Sequence, residues 1–236
     1  MGDITSFDDF HREFEKYRRD NRWMFRGQAK ADWPVIPKAG RHPYCERNDL
    51  DYLESWTRRA AEFIGRVPEN IWEAMALAQH HGLPTRLLDW TYNPLVAAFF
   101  ACLDEHDSDG VIYCYMPEMQ IVPGKMEPKN LKQVLKYRPN VIASRIGRQS
   151  GLFSVHPEPK VDLRETIGCT DQLTCHVVKS TYKRRMLFEL NHYGVNRLTL
   201  FGDLDGLSGH MRWTLENRRY WSEHDEFMRE LEGNVR

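Results

Sequence analysis

The spacing of apolar residues along the chain predicts a succession of helices and short strands. Residues 6–19 carry apolar side chains at helical spacing, and Ser6 stands at the N-cap position of that predicted helix. Other segments are predicted as helices (50–63, 71–79, 95–103, 131–135, 207–215) or as strands (23–28, 86–89, 111–116, 149–153, 169–179, 195–201). Since the helices gather mainly in one half, the pattern predicts an α+β fold, namely a single domain with a small mixed or antiparallel sheet core flanked by helices.

Residues 79–102 combine two apolar segments with a dense run of polar side chains. The predicted helix before them stops at a glycine and a proline, and the next helix begins at Asn93 with a proline behind it. Asp89 and Thr91 consequently stand at a strand end just before a helix N-terminus, where backbone N–H groups and the helix dipole favour an anion. The alternative is purely structural: Thr91 or Asn93 caps the helix, and Asp89 pairs with Arg86.

Arg26 lies on a predicted strand among large apolar neighbours, which is a costly place for a charge that has no anionic partner. Two interpretations are open. The guanidinium forms an ion pair with a core carboxylate such as Asp89, or it makes a bidentate contact to a phosphate or carboxylate of a ligand. The basic run at residues 179–185 is interpreted mainly as a solvated face, with a phosphate-binding patch as the alternative.

Composition narrows the choice of function. Lys and Arg (33) nearly balance Asp and Glu (34), so no overall basic field favours non-specific nucleic-acid binding. The acidic N-terminal segment shows no secretory signal, no apolar run is long enough to span a bilayer, and the five scattered cysteines fit reduced thiols. We therefore expect a cytoplasmic protein with no membrane partner and no bound metal. The common dinucleotide, P-loop, zinc-protease and nucleophile-elbow motifs have no counterpart in the sequence.

Four separated blocks of sequence resemble one family. They are residues 25–28 (FRGQ), residues 78–98 (including AQHHGLPTRLLDWT and NPL), residues 148–153 (RQSGLF) and residues 200–207 (LFGDLDGL). Together they resemble the FRG domain, a family of bacteria and phages, although Gly202 stands where that family usually has proline. The resemblance implies an FRG domain over residues 20–210, between an N-terminal helix (1–19) and a C-terminal helical tail (211–236).

A more distant similarity is to the ADP-ribosyltransferase fold, in which an Arg-Gly at the end of the first strand holds the phosphates of NAD. Arg26 and Gly27 resemble that element, and Thr91 before an alanine-rich helix resembles the strand end that positions the nicotinamide ribose. The catalytic glutamate of that fold has no counterpart here, since the nearest residues are Gln149 and Asp203. The similarity implies NAD as the substrate and leaves the catalytic carboxylate open.

The residues and these resemblances together define the expected site. The expected catalytic residues are His80, His81, Asp89, Gln149 and Asp203, and the expected NAD-binding residues are Arg26, Gly27, Gln28, Arg86, Thr91 and Phe153. A carboxylate at Asp89 or Asp203 would stabilise an oxocarbenium-like transition state, and a histidine would act as general base. Alternatively, one of the two histidines caps the preceding helix and hydrogen-bonds Asp89.

Two functions of different classes follow. The first is an NAD-using, ADP-ribosyltransferase-like enzyme that acts as a bacterial or phage-conflict effector (a toxin or defence protein), with a protein or nucleic acid as acceptor. The second is a non-catalytic module that binds a nucleotide or a nucleic acid through exposed aromatic residues and local basic clusters at residues 18–19, 58–59 and 183–185. Metal-dependent hydrolysis ranks last, because adjacent histidines at a helix end do not readily contact one ion.

Overall fold

A seven-stranded mixed sheet with helices packed against it forms the fold, so the predicted single-domain α+β class is confirmed. The computed structural model describes residues 2–64, 68–139 and 149–217. The strands within them are β1 (Asp3–Ile4), β2 (Met24–Gln28), β3 (Leu87–Thr91), β4 (Gly110–Met116), β5 (Leu135–Tyr137), β6 (Gly151–Val155) and β7 (Gln172–Val178). The α-helices within them are α1 (Phe7–Phe14), α2 (Asp49–Ala60), α3 (Ile71–His80), α4 (Pro94–Cys102), α5 (Leu163–Thr166), α6 (Ser180–His192), α7 (Arg197–Phe201) and α8 (Leu204–Glu216).

The strands follow the order β1-β7-β4-β2-β3-β6-β5 across the sheet. β1 runs parallel to β7, and the other neighbouring pairs are antiparallel. β2 pairs with β4 along its whole length, and β3 does the same with β6, but the β2–β3 ladder consists of the single pair Phe25 and Thr91. Because no further pair follows, the two halves of the sheet separate beyond it and leave an opening near Arg26 and Asp89.

Helices border this opening on one face of the sheet. α1, α4 and α6 pack on the half that contains Phe25, Ile112 and Val178. α2 and α3 pack on the other half, against Leu87 and Phe153. Side chains at every second position of a strand face the same side, so Leu87 faces the same side as Thr91. Thr91 lies directly opposite Phe25 on β2. Therefore α3 and α4 flank the opening on the same face.

The opposite face of the sheet is covered mainly by loop segments and the short helix α5. Trp90 and Tyr115 pack there with Val35, Val134 and Leu163. All five side chains are buried. This apolar layer packs on the sheet from behind. Arg26, which alternates with Phe25 along β2, extends towards this side of the opening, whereas Asp89 extends towards the helices.

Polar residues at helix ends act as the sequence predicts. The Ser6 hydroxyl accepts a backbone N–H of the first turn of α1 at 3.1 Å, and the Asn93 side chain does the same for α4 at 2.9 Å. Pro94 occupies the first turn of α4, where its missing N–H costs nothing. After α3, Gly82 has a φ of +94°, a conformation that other residues rarely adopt.

Two predicted elements are wrong. Residues 195–201, predicted as a strand, contain α7, because the side chains of Asn196 and Thr199 each accept the backbone N–H of the other in a capping box. Residues 131–135, predicted as a helix, lead into a strand, because Leu135–Tyr137 pairs antiparallel with β6. In both cases, hydrogen bonding decides the conformation against the apolar pattern.

Parts of the predicted organisation lie outside the described residues. These are residue 148 of the third sequence block and residues 218–236 of the predicted C-terminal tail. Within the described part of that tail, α8 continues to Glu216. None of the described helices is both long and apolar enough to cross a bilayer.

Candidate functional site

A cavity of about 570 Å³ lies over the opening between β2 and β3, with α3 on one side and α4 on the other. Seven of the expected site residues line it: Arg26, Gly27, His80, Asp89, Thr91, Gln149 and Phe153. Asp89 is exposed, so the cavity is open to solvent. Residues that are far apart along the chain therefore meet in one hollow.

Arg26 forms part of the wall of this cavity and is half-buried. Its Nη1 donates to the backbone carbonyl of Asp89 at 2.8 Å, and its Nε donates to Oε1 of Gln28 at 3.2 Å. Among the described residues, no carboxylate lies within 4.0 Å of the guanidinium, so the ion pair with Asp89 that the sequence allowed is not formed. Burial lowers the pKa of Arg26 to about 10, and the nearby Asp89 carboxylate opposes this effect.

Two further cations, which the sequence pattern did not indicate, line the cavity. Lys38 donates to the carbonyl of Gly82 at 3.2 Å and lies over the ring of Tyr44. Arg41 donates to a backbone carbonyl at 3.0 Å, and burial lowers its pKa. Both come from the turn-rich segment after β2, which has no periodic pattern. Only the tertiary fold brings this segment to the opening.

Asp89 supplies the carboxylate of the cavity. It is the sole acidic residue among the described side chains that line the wall. It extends from the middle of β3, opposite Phe153 on β6. With Arg26, Lys38 and Arg41 around it, the cavity carries a net positive charge and is suited to an anionic ligand.

Thr91 and Gln149 line the cavity but are occupied by hydrogen bonds within the protein. The Thr91 hydroxyl donates to the carbonyl of Gln149 at 2.6 Å and accepts the backbone N–H of Asn93 at 3.0 Å. The Gln149 side chain donates to the carbonyl of Leu200 at 3.2 Å. Since its proton is already used, Thr91 holds the chain of residue 149 against the end of β3 rather than presenting a free donor to a ribose.

Gly27 and Gln28 have structural roles in packing and hydrogen bonding. A Cβ at Gly27 would collide with the carbonyl oxygen of Ala97 and with the backbone nitrogen of Ala101, so glycine lets α4 approach the sheet. Gln28 is buried; it accepts from Arg26 and donates to the carbonyl of Trp33 at 3.2 Å. These two residues place α4 and Arg26, and Gln28 does not line the cavity.

The comparisons with known proteins bear on this geometry. The model of the FRG domain family matches residues 21–110. The chain carries an FRG domain. No curated protein and no solved structure matches the chain. The matched segment contains β2, α3, β3 and α4, so the FRG domain provides the opening and both helical walls of the cavity. Its predicted extension from residue 110 to residue 210 stays a prediction.

Besides Gln28, three of the expected site residues lie outside the cavity of the FRG-domain protein. Arg86 is buried against Asp49, with Nη2 to Oδ1 at 2.7 Å and Nε to Oδ2 at 3.0 Å, so its guanidinium belongs to the framework and not to the cavity. Asp203 accepts the N–H of Gly206 at 2.7 Å as the N-cap of α8. His81 is exposed at the C-terminal end of α3. None of the three lines the cavity.

Of the two expected histidines, His80 lines the cavity; His42, from the segment after β2, lines it as well. The adjacent rings of His80 and His81 meet edge to face at 5.0 Å, but only His80 of this pair lines the cavity, and His81 is exposed. Within the described residues, no group of three or more His, Cys, Asp or Glu side chains is arranged to hold a metal ion. The charged residues and histidines that line the cavity are Arg26, Lys38, Arg41, His42, His80 and Asp89.

Proposed function

We propose that the FRG-domain protein binds NAD in the cavity between β2 and β3 and cleaves its nicotinamide–ribose bond as an ADP-ribosyltransferase-like enzyme. The observation that carries the proposal is the Arg26 guanidinium, half-buried in the wall without a carboxylate partner among the described residues. A buried cation of this kind is costly unless an anion meets it. The cavity volume of about 570 Å³ lies within the usual range for small-molecule sites.

Arg26 and Arg41 would hold the pyrophosphate of NAD. A guanidinium offers several N–H donors in a fixed plane and binds phosphate oxygens in pairs. Arg26 donates two hydrogen bonds to the protein and Arg41 donates one, which leaves further N–H groups of both for a ligand. Lys38 adds a third positive charge, and Tyr44, 43% exposed at the same wall, offers a ring for stacking against a base.

The reaction breaks the bond between C1′ of the ribose and the ring nitrogen of nicotinamide. The ring nitrogen keeps the electron pair, so nicotinamide leaves as a neutral molecule and positive charge develops on the ribose. The Asp89 carboxylate, placed beside that charge, would stabilise the transition state. An acceptor hydroxyl or amine, or water, then forms the new bond to C1′, and its proton passes to His80 as general base.

The test is an incubation of the purified protein with NAD, with released nicotinamide measured by chromatography and Tm measured with and without NAD. Arg26→Gln removes the charge in the cavity, and Arg58→Gln, on the exposed side of α2, is the matched control. We expect nicotinamide release and an NAD-induced rise in Tm for the wild type and the control, and neither for Arg26→Gln. A wild type that shows neither effect overturns the proposal.

The alternative function, a non-catalytic nucleotide-binding module, would use the same cations. Stabilisation by NAD without nicotinamide release, also in the presence of candidate protein and nucleic-acid acceptors, would favour it. The proposed cellular role as a toxin or defence effector is tested by expression in bacteria. There we expect growth arrest and a fall in cellular NAD for the wild type and normal growth for Arg26→Gln at equal protein level.

A further inference from the structure

A second cavity, of about 740 Å³, lies beside the first and has no part in the proposed NAD site. It is bounded by the 3-10 helix Glu15–Arg19, the loop that leads into β2, the N-terminus of α4 and the end of β5. Phe25 contributes to the walls of both cavities. The two hollows are therefore neighbours on either side of one aromatic side chain.

Four cations line the second cavity: Arg18, Arg22, Lys136 and Arg138. Asp20 is the sole carboxylate among the described lining residues, and its oxygens are bound by Arg22 at 2.7 to 3.1 Å. No described carboxylate lies within 4.0 Å of Lys136 or Arg138. The cavity thus holds an excess of about three positive charges in a protein whose net charge is −1.

Lys136 shows the consequence of this crowding. Its side chain is half-buried, and its pKa is lowered by burial and then by Arg138 and Arg22. Like charges held together repel one another, and an anion between them would relieve that repulsion. The N-terminus of α4, at Asn93 and Pro94, contributes its positive dipole end to the same wall.

Two aromatic side chains complete the wall. Trp23 and Tyr92 are both half-buried and line the cavity together with the cations. Cations that follow a phosphate backbone, next to aromatic rings on which bases stack, are the combination that single-stranded nucleic acids require. A phosphopeptide or free polyphosphate would use the cations but not the rings.

We propose that this second cavity binds a segment of single-stranded nucleic acid, with Lys136, Arg138 and Arg18 on phosphates and Trp23 and Tyr92 against bases. The proposal extends to function as follows: if the first cavity cleaves NAD, the strand in the second cavity is the acceptor of the ADP-ribosyl group. That role rests on the proposed function, whereas binding of the strand does not.

The binding test is fluorescence anisotropy of a labelled single strand of about ten nucleotides with the full chain, as DNA and as RNA. The double variant Lys136→Gln/Arg138→Gln is compared with Arg58→Gln/Arg59→Gln, which removes two exposed charges from α2. We expect the first variant to weaken binding roughly tenfold or more and to lower the slope of log affinity against log salt by about 1.4, two phosphate contacts at ~0.7 each. The control keeps the affinity and slope of the wild type.

Trp23→Leu separates a nucleic acid from other anions. We expect it to weaken binding of the strand while leaving the weak competition by inorganic tripolyphosphate unchanged. Absence of binding by the wild type, an equal loss in both charge variants, or tripolyphosphate that displaces the strand at equal phosphate concentration each overturns the proposal. Circular dichroism of Trp23→Leu confirms that the variant is folded before it is compared.

Failure of the two proposals can be told apart. Arg26→Gln should leave strand binding within about twofold of the wild type, and Lys136→Gln/Arg138→Gln should leave the NAD-induced rise in Tm unchanged, since the substituted side chains lie in different cavities. Strand binding without any NAD effect would support the proposal for the second cavity and overturn the proposal for the first. An NAD effect without strand binding would support the first proposal and overturn the second.

Discussion

The guanidinium of Arg86 lies 2.7 Å from the carboxylate of Asp49, and the two side chains are 8% and 7% exposed. The same carboxylate also accepts the backbone N–H of Arg86 at 3.1 Å. The pair joins the start of β3 to the first turn of α2 and lies beside the apolar cluster that supports α3. It therefore supports one wall of the first cavity without lining the cavity itself.

Removal of one partner should destabilise the fold strongly. Arg86→Met leaves the Asp49 carboxylate buried without its cation, so we expect the free energy of unfolding to fall by about 3–5 kcal/mol, as measured by urea denaturation. Asp49→Leu should cost a similar amount, and the double variant should cost less than the sum of the two. If Arg86→Met is folded at the start of the thermal scan, NAD should still raise its Tm. If Arg86→Met kept full stability but lost NAD binding completely, Arg86 would have to be a ligand-binding residue.

The sequence predicts those features that depend on neighbouring residues. Asn93 and Pro94 mark the start of α4 because a cap and a proline act within one turn, and Gly82 marks the end of α3 for the same kind of reason. These local signals correctly place Thr91 at the end of a strand just before a helix, because β3 and α4 follow each other closely along the chain. Asp89, also expected at the strand end, lies in the middle of β3, because the strand continues to Thr91.

The sequence fails where the partner is remote. Arg86 meets Asp49 across 37 positions rather than its near neighbour Asp89, and no periodic pattern reports such a choice. The strand Leu135–Tyr137 exists because β6 pairs with it, and Arg41 reaches the cavity because a loop without regular structure folds over it. Each depends on tertiary contacts that override local propensity.

Lys183 departs from the interpretation of the basic run as a solvated face or a phosphate patch, whereas Arg184 and Arg185 are exposed. The Lys183 side chain is fully buried in α6, and its three N–H donors are shared among the carbonyls of Ala29, Asp104, Glu105 and Ser108, which lie 2.7 to 3.2 Å from Nζ. The ammonium holds the loop between α4 and β4 in place. It is therefore a structural cation that no nucleic acid can reach.

Replacement of this ammonium should unfold the loop. Lys183→Met fills the space but removes the ammonium donor from these buried carbonyls, so we expect a loss of about 3–5 kcal/mol in the free energy of unfolding. Arg184→Met, next to it but exposed, should change stability by less than about 0.5 kcal/mol. Thermal or urea denaturation measures both. Equal stability of the two variants would mean that the carbonyls are satisfied without Lys183.

His156 makes stability depend on pH. It is 1% exposed, its Nε2 lies 2.9 Å from the Ser154 hydroxyl, and its Nδ1 has no hydrogen-bond partner within the described structure. Burial, with Arg26 nearby, lowers its pKa from 6.5 to about 3, although Asp162 opposes the shift. The folded state thus holds the neutral imidazole, while the unfolded chain takes up a proton below pH 6.5.

The sign of the effect follows from this difference. The stabilising contribution of the neutral imidazole is complete above pH 6.5 and is lost as the pH falls towards 3, by about 1.4 kcal/mol per pH unit. We expect His156→Asn, which does not titrate, to show a smaller decrease in the free energy of unfolding between pH 6.5 and 5 than the wild type. Urea denaturation at several pH values measures this difference. Parallel curves for the two proteins would show that His156 is protonated equally in both states.

Asp89 and Asp203 were equivalent candidates for the catalytic carboxylate, and their surroundings now separate them. Asp89 lines the positively charged cavity, whereas Asp203 caps α8 with a hydrogen bond of 2.7 Å to Gly206. Asparagine is isosteric with aspartate and caps helices equally well. Substitution by asparagine therefore removes the charge at each position with little effect on the fold.

The matched pair tests which carboxylate acts on the ribose. If Asp89 stabilises the developing positive charge, Asp89→Asn should lower kcat for nicotinamide release by about 10²- to 10³-fold, the usual effect of losing one electrostatic contact to a transition state. NAD should still raise the Tm of this variant, because the asparagine leaves the cations of the cavity in place. Asp203→Asn should keep the wild-type kcat. A loss of activity in Asp203→Asn alone would move the chemistry away from the β2–β3 opening, since the carboxylate that acts would then lie outside the cavity.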